Sequence, residues 1–195
     1  MPDPSDFSAF LLDLDAVTRT PSGRPMDGEF ADYAKLDIDR VVGDDAVKVL
    51  AVQGADTLAL LESLTDAAVS GARYAPGKWT VKEVIGHLAD DERIFAYRAL
   101  CIARNDARPL AGFDEKQYVE SAGFESRPVA QLTAEYVSVR RATLTLFDGL
   151  STAAWLRRGV VNGYAASARG LAFHIAGHEL RHVRALRETY GVGRV

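Results

Sequence analysis

The sequence predicts an all-α protein built as a four-helix bundle. Four stretches repeat their apolar residues at helical spacing, and no stretch alternates long enough to make a convincing sheet. The third ground is composition. The chain has 195 residues, 48% hydrophobic and 26% charged, which suits one ordinary globular domain with a substantial core.

The elements follow in order. Residues 1–40 read as a loosely structured N-terminal extension, and 41–195 as the bundle domain. Within the extension, Phe7, Phe10, Leu11 and Leu14 could form one or two amphipathic turns, while 18–28 holds two prolines and two glycines like a linker. The first bundle helix spans about 44–69, with Val47, Leu50, Leu58, Leu61 and Leu64 on one stripe and Gly54 as a local weakness. Pro76 and Gly77 make a turn. Thr80 and Glu83 then stand at capping-box spacing and open a second helix running through Val84, Leu88, Phe95 and Ala99 to about Arg104. A long polar connection follows over 105–127. Pro128 fits the first turn of the third helix, whose stripe is Val129, Leu132, Tyr136, Val139, Thr143 and Leu146. Residues 150–166 form another connection, with one extended piece at Val160 and Val161. Ser167 caps the fourth helix, which runs to about Tyr190 and stops at Gly191.

Charge and composition exclude several classes. The net charge is −4, which gives no electrostatic footprint for nucleic acid. The charge is uneven: residues 1–70 hold 14 acids and 5 bases, and residues 71–195 hold 13 acids and 18 bases. A later part rich in arginine suits a small anionic substrate or pairing with the acidic first part. Cys101 is the single cysteine, which rules out an intrachain disulfide and a thiolate cage and leaves it as a small core residue. No apolar run approaches the roughly 20 residues of a membrane span, and the start of the chain lacks a signal-peptide pattern. The expectation is a cytoplasmic protein that binds neither membrane nor nucleic acid.

The histidines carry the chemistry. All four fall in two short stretches: His87 alone, and His174, His178 and His182 at every fourth residue. That spacing keeps side chains on one helix face, with a drift of about 40° per step. His178 and His182 lie within about 20° of the stripe set by Leu171, Ile175 and Leu186, and His174 near its edge. A core-facing helix thus presents imidazoles where leucines belong, and buried imidazoles need partners, water or a metal. Two residues four apart, about 6 Å along the axis, can share one ion; His174 and His182, about 12 Å apart, cannot. The helix therefore supplies one adjacent pair, and a third ligand comes from elsewhere. His87 is the candidate. It shares its helix face with Asp91, Phe95 and Arg98, and packing of the second and fourth helices would bring it towards His178 and His182. Three neutral ligands leave a coordination position open, the pattern of a catalytic metal site.

His178 to His182 also fits H-E-x-x-H, the metallopeptidase signature, with Glu179 as base. Its context is poor. No glycine turn or histidine follows in the remaining 13 residues, and no edge strand is predicted to hold an extended peptide.

From about Asp44 to Tyr190 the chain resembles the DinB/YfiT-like superfamily of four-helix metalloproteins. The residues that carry the likeness are Tyr74–Trp79, Glu83 with Gly86–Arg93, Ala96–Leu100, Ala103–Asp106 and Pro109–Asp114. It continues through Arg140–Thr143, Arg158–Gly159, Asn162–Gly163 and Ala176–His182. The resemblance implies a divalent metal, often nickel or zinc, held by His87, His178 and His182. His174, apolar in the expected pattern, is read as a supporting or structural residue. Glu179 follows the metal histidine in many relatives, which makes the peptidase match coincidental. The resemblance further implies a metal-dependent enzyme acting on a small molecule, of thiol S-transferase or hydrolase type, with a low-molecular-weight thiol as one cofactor choice. Pairing into a homodimer is common in such bundles. Asp91 and Arg98 are candidates to orient an anionic substrate or a ligand histidine. The rival reading is a non-catalytic metal-binding stress-response protein, because ligands specify a metal and not a reaction.

Overall fold

The structure, a computed structural model, describes residues 22–193. Four long helices build the bundle: α2 (Ala46–Glu62), α4 (Val81–Ala103), α6 (Val129–Asp148) and α8 (Ala168–Glu188). Each start is capped as its sequence dictates. Asp45 accepts from the first free N–H groups of α2, Thr80 and Glu83 close a reciprocal capping box on α4, and Ser167 accepts from Gly170 on α8. α4 packs on α6 and α8, and α2 packs on the same two. The consecutive long helices α2 and α4 therefore face each other across the bundle instead of lying side by side. Leu50, Leu61, Ile85, Leu132, Leu144, Phe147, Phe173 and Leu186 fill the core between them.

The shorter elements refine the expected boundaries. The first predicted helix is broken in two, because Thr65 caps a separate turn, α3 (Asp66–Val69). The 105–127 connection is not bare loop: it contains α5 (Glu115–Ala122), capped by Asp114 and ended by Gly123 at φ 66°, then a 3-10 turn at Phe124–Ser126. The ring of Phe124 lies on α4 where Gly86 leaves room for it. After α7 (Thr152–Trp155), strands β1 (Arg158–Val161) and β2 (Tyr164–Ser167) form an antiparallel hairpin, where one extended piece was expected. Asn162 and Gly163 turn it with φ of 51° and 80°, the twist a two-residue hairpin turn requires. Leu110 exchanges backbone hydrogen bonds with Val160 and Asn162, tying the long connection to this hairpin.

Of the expected loose extension, residues 1–21, including the Phe7–Leu14 segment, lie outside the described residues. Residues 22–40 are docked. They run over α8 and end in a 3-10 turn and α1 (Lys35–Arg40). The docking depends on glycine. A Cβ on Gly170 would lie 2.1 Å from the Glu29 carbonyl oxygen, and one on Gly177 would lie 2.1 Å from that of Asp37. Two ion pairs fasten the segment. Arg169 forks onto Glu29, and Arg181 reaches Asp37 at 3.1 Å. The Glu29 carbonyl also accepts from the Ser167 N–H at 2.9 Å, which continues the contact to the edge of β2.

At the centre of the bundle a buried polar network joins all four long helices. Arg140 on α6, wholly buried, forks onto Glu92 of α4 and donates to Glu179 of α8 at 2.7 Å. It also donates to the Leu50 carbonyl of α2, and Gly54 gives its side chain room there.

Candidate metal centre

His87 projects from α4 and His178 and His182 from α8, two helices in direct contact. One nitrogen from each ring lies within 4.8 Å of the others, so the three could hold a metal ion together. His87 Nε2 and His178 Nε2 are 3.1 Å apart. Two nitrogens bound at about 2.1 Å to one tetrahedral ion stand about 3.4 Å from each other, so this spacing is close to what such an ion needs. Burial keeps the rings uncharged. It pushes His87 down to about 4 and His182 to about 3, and it holds His178 well below the ordinary imidazole value. A neutral imidazole is the form that ligates.

Trp79, from the turn preceding α4, covers this cluster, with its ring 4.7 Å from that of His87 and stacked at 6.4 Å on His182. Tyr190 fixes that turn by donating to the Trp79 carbonyl. On the opposite side of His178, Asp91 Oδ2 lies 3.3 Å from Nδ1, without the alignment of a hydrogen bond. With the Asp91 carboxyl on the Nδ1 side, Nε2 is the ring nitrogen left to ligate. Desolvation pushes the Asp91 carboxyl up to about 8.

A cavity of about 520 Å³ touches His178, alone of the three, together with Asp91. Arg98 and Arg181 line it, as do Phe113 and Glu115 from the long connection. Tyr33, Asp37 and Arg40 of the docked segment also line it. Sequence reasoning missed these last three, since nothing local reveals that α1 closes over α8. Asp91, Phe95 and Arg98 share the cavity wall, as their common helix face foretold.

His174 stands apart from the other three. Its ring stacks on Phe95 at 4.0 Å, its buried Nδ1 has no partner, and burial pushes it down to about 3. It lines the cavity rather than joining the cluster.

Glu179, the base that the H-E-x-x-H signature would require, is held by other partners. One carboxylate oxygen accepts from the Thr57 and Tyr136 hydroxyls, and the other from Arg140. Burial pushes the Tyr136 phenol well above its ordinary value, so it remains a donor. With both oxygens engaged in the bundle centre, Glu179 is not free to take a proton from water at the histidines. Cys101 is a buried free cysteine, as a core role requires, and no helix of the described residues is long and apolar enough to cross a membrane.

Comparison with known proteins agrees with this architecture. No curated protein gives a significant match. A solved structure similar to this one is YfiT from Bacillus subtilis, described as a probable metal-dependent hydrolase with an unusual four-helix bundle topology. The two share 18% identity at a TM-score of 0.62, over 87% of this chain and 94% of that one, a likeness of fold. The family model of the DinB superfamily matches residues 50–186. That span takes in α4, α6, most of α8 and all four histidines, and the chain belongs to the DinB superfamily.

Proposed function

We propose that this protein is a metal-dependent enzyme acting on a small molecule, with His87, His178 and His182 as the ligands of one divalent ion. The observation that carries this reading is the cavity of about 520 Å³ beside His178, walled by charged and polar side chains. A purely structural ion would be expected in a sealed apolar site, so the cavity disfavours the non-catalytic alternative. When bound, nickel or zinc would acidify a water or a thiol at its open position. Hydrolysis of a small electrophile is the reading preferred here, in keeping with the description of YfiT. The protein residues have definite tasks in it. Asp91 orients His178, Trp79 shields His87 and His182 from solvent, and the docked segment with Phe113 limits what enters. Transfer to a low-molecular-weight thiol is the second reading, favoured by a cavity large enough for a thiol beside its acceptor.

The test is the metal content of untagged protein and of His87→Ala and His178→Ala. About one equivalent of metal in the parent, lost in both variants with helicity retained, is expected. No metal after reloading, or unchanged content in the variants, overturns the assignment. Metal-dependent turnover in an ester and amide panel, read with and without added thiols, separates hydrolysis from thiol transfer.

A further inference from the structure

Arg98 is the cation of the cavity that has no anion. Its residue is 4% exposed, and it lies on the cavity wall. One protein acceptor meets it, the Ala111 carbonyl, at 2.8 Å from Nη2. Its guanidinium carbon lies 4.7 Å over the Phe95 ring and 5.5 Å over the Phe113 ring. Among the described residues no carboxylate is in ion-pair contact with it, and Asp91 acts on it only through space. The other two arginines of the wall are already matched, since Arg40 and Arg181 both hold Asp37, at 2.7 and 3.1 Å. Asp91 is turned to His178, and Glu115 is exposed at the rim. A guanidinium withdrawn from water without an anion in contact costs free energy, and the two ring faces under it offset that cost only in part.

We propose that the cavity takes a small monocarboxylic acid, its carboxylate forked on the unpaired donors of Arg98 and its organic part resting against Phe113 and Tyr33. A guanidinium fork matches a planar carboxylate with two parallel N–H···O bonds. Arg98 is the one guanidinium of the wall without a carboxylate in ion-pair contact, so the cavity offers a single fork for one carboxylate. The aromatic lining suits a flat organic body. This inference rests on the proposed metal site only for its geometry: an acid held at Arg98 would direct its far end along the cavity wall towards His178.

The test is calorimetric titration of the full chain, as purified and after chelator treatment, with benzoate and with its neutral isostere benzamide. Benzoate is expected to bind about tenfold tighter or more in both preparations, as charge-assisted hydrogen bonds imply. In Arg98→Met, which keeps a long unbranched side chain without the charge, the preference falls to about one. Equal binding of the two probes by the parent overturns the proposal, as does a preference that survives in Arg98→Met. A preference confined to metal-loaded protein and independent of Arg98 places the carboxylate on the ion: the metal reading stands and this one falls. A preference that needs Arg98 in protein unable to take up metal has the opposite meaning. If Arg98→Met does not fold, Arg98→Lys carries the test. It keeps the charge without the fork, and benzoate affinity unchanged from the parent refutes the forked mode.

Discussion

Replacing Glu179 by alanine separates a structural carboxylate from a catalytic one. The change removes the acceptor of the Thr57 and Tyr136 hydroxyls and one of the two carboxylates on Arg140. Glu92 still forks onto Arg140, so the guanidinium keeps a counter-charge. Thr57 and Tyr136 are almost fully buried, and each hydroxyl left without an acceptor costs about 1–3 kcal/mol. Together the two hydroxyls come to about 2–6 kcal/mol. For a domain of this size that lowers the melting temperature by about 2–4 °C per kcal/mol, or roughly 4–24 °C. Glu179→Gln is the milder variant, since its amide NH₂ would meet the Arg140 donors while its oxygen still serves a hydroxyl; about 2 kcal/mol is expected. Scanning calorimetry reads the loss, and metal analysis on the same samples reads the centre, which should bind its ion as before once the protein is folded. A Glu179→Ala protein that melts within 2 °C or so of the parent, yet loses metal-dependent turnover by about 100-fold, would refute this reasoning and restore Glu179 as a base.

Further expectations concern the docked segment and the surroundings of His178. Gly177→Ala forces a methyl against the Asp37 backbone, so about 1–3 kcal/mol is lost and trypsin cuts faster at Lys35 and Arg40; unchanged proteolysis would mean α1 tolerates the clash. Asp91→Asn lowers zinc affinity about 10–100-fold without abolishing binding, as measured by chelator competition, and equal affinity would deny Asp91 its orienting role. Burial acts to raise the Glu29 pKa, but Arg169, the Met26 N–H and Ser167 outweigh it and hold the carboxyl below its ordinary value of 4.5. Its folded form is thus the more acidic one. The stability it contributes is complete above about pH 4.5 and fades as pH falls further, and Glu29→Gln should flatten that part of the stability–pH curve. A parallel shift at all pH values would show that Glu29 does not titrate with unfolding.

The long helices were legible because their signals are local. Thr80 with Glu83, Ser167 before α8, and the four-residue spacing of the histidines each act within one or two turns of chain. The convergence of His87 with His178 and His182 was legible for a related reason: a helix that buries imidazoles must meet something able to satisfy them. The hairpin had a local signal that was passed over. Asn162-Gly163 is the dipeptide of a two-residue turn, but the flanking strands have only four residues each, too few to show a clear alternation. Arg140 and Glu92 gave no such sign. A buried charge has the same letter as a solvated one, and only the meeting of four helices makes them a network. The docking of residues 22–40 was hidden likewise, because Gly170 and Gly177 read as weak points of a helix until another backbone is laid across them.

That docked segment divides the labour of the cavity between two independent parts of the chain. The imidazoles belong to α4 and α8, whereas Tyr33, Leu36 and Arg40 belong to a strap held from outside by two glycines and two ion pairs. Substitutions in the strap can redraw the outline of the chamber without displacing an imidazole nitrogen. On the proposed function, reactivity and selectivity are thereby free to evolve at different rates. An engineer seeking a new substrate would keep the floor, hold Gly170 and Gly177 fixed as anchorage, and diversify the strap alone.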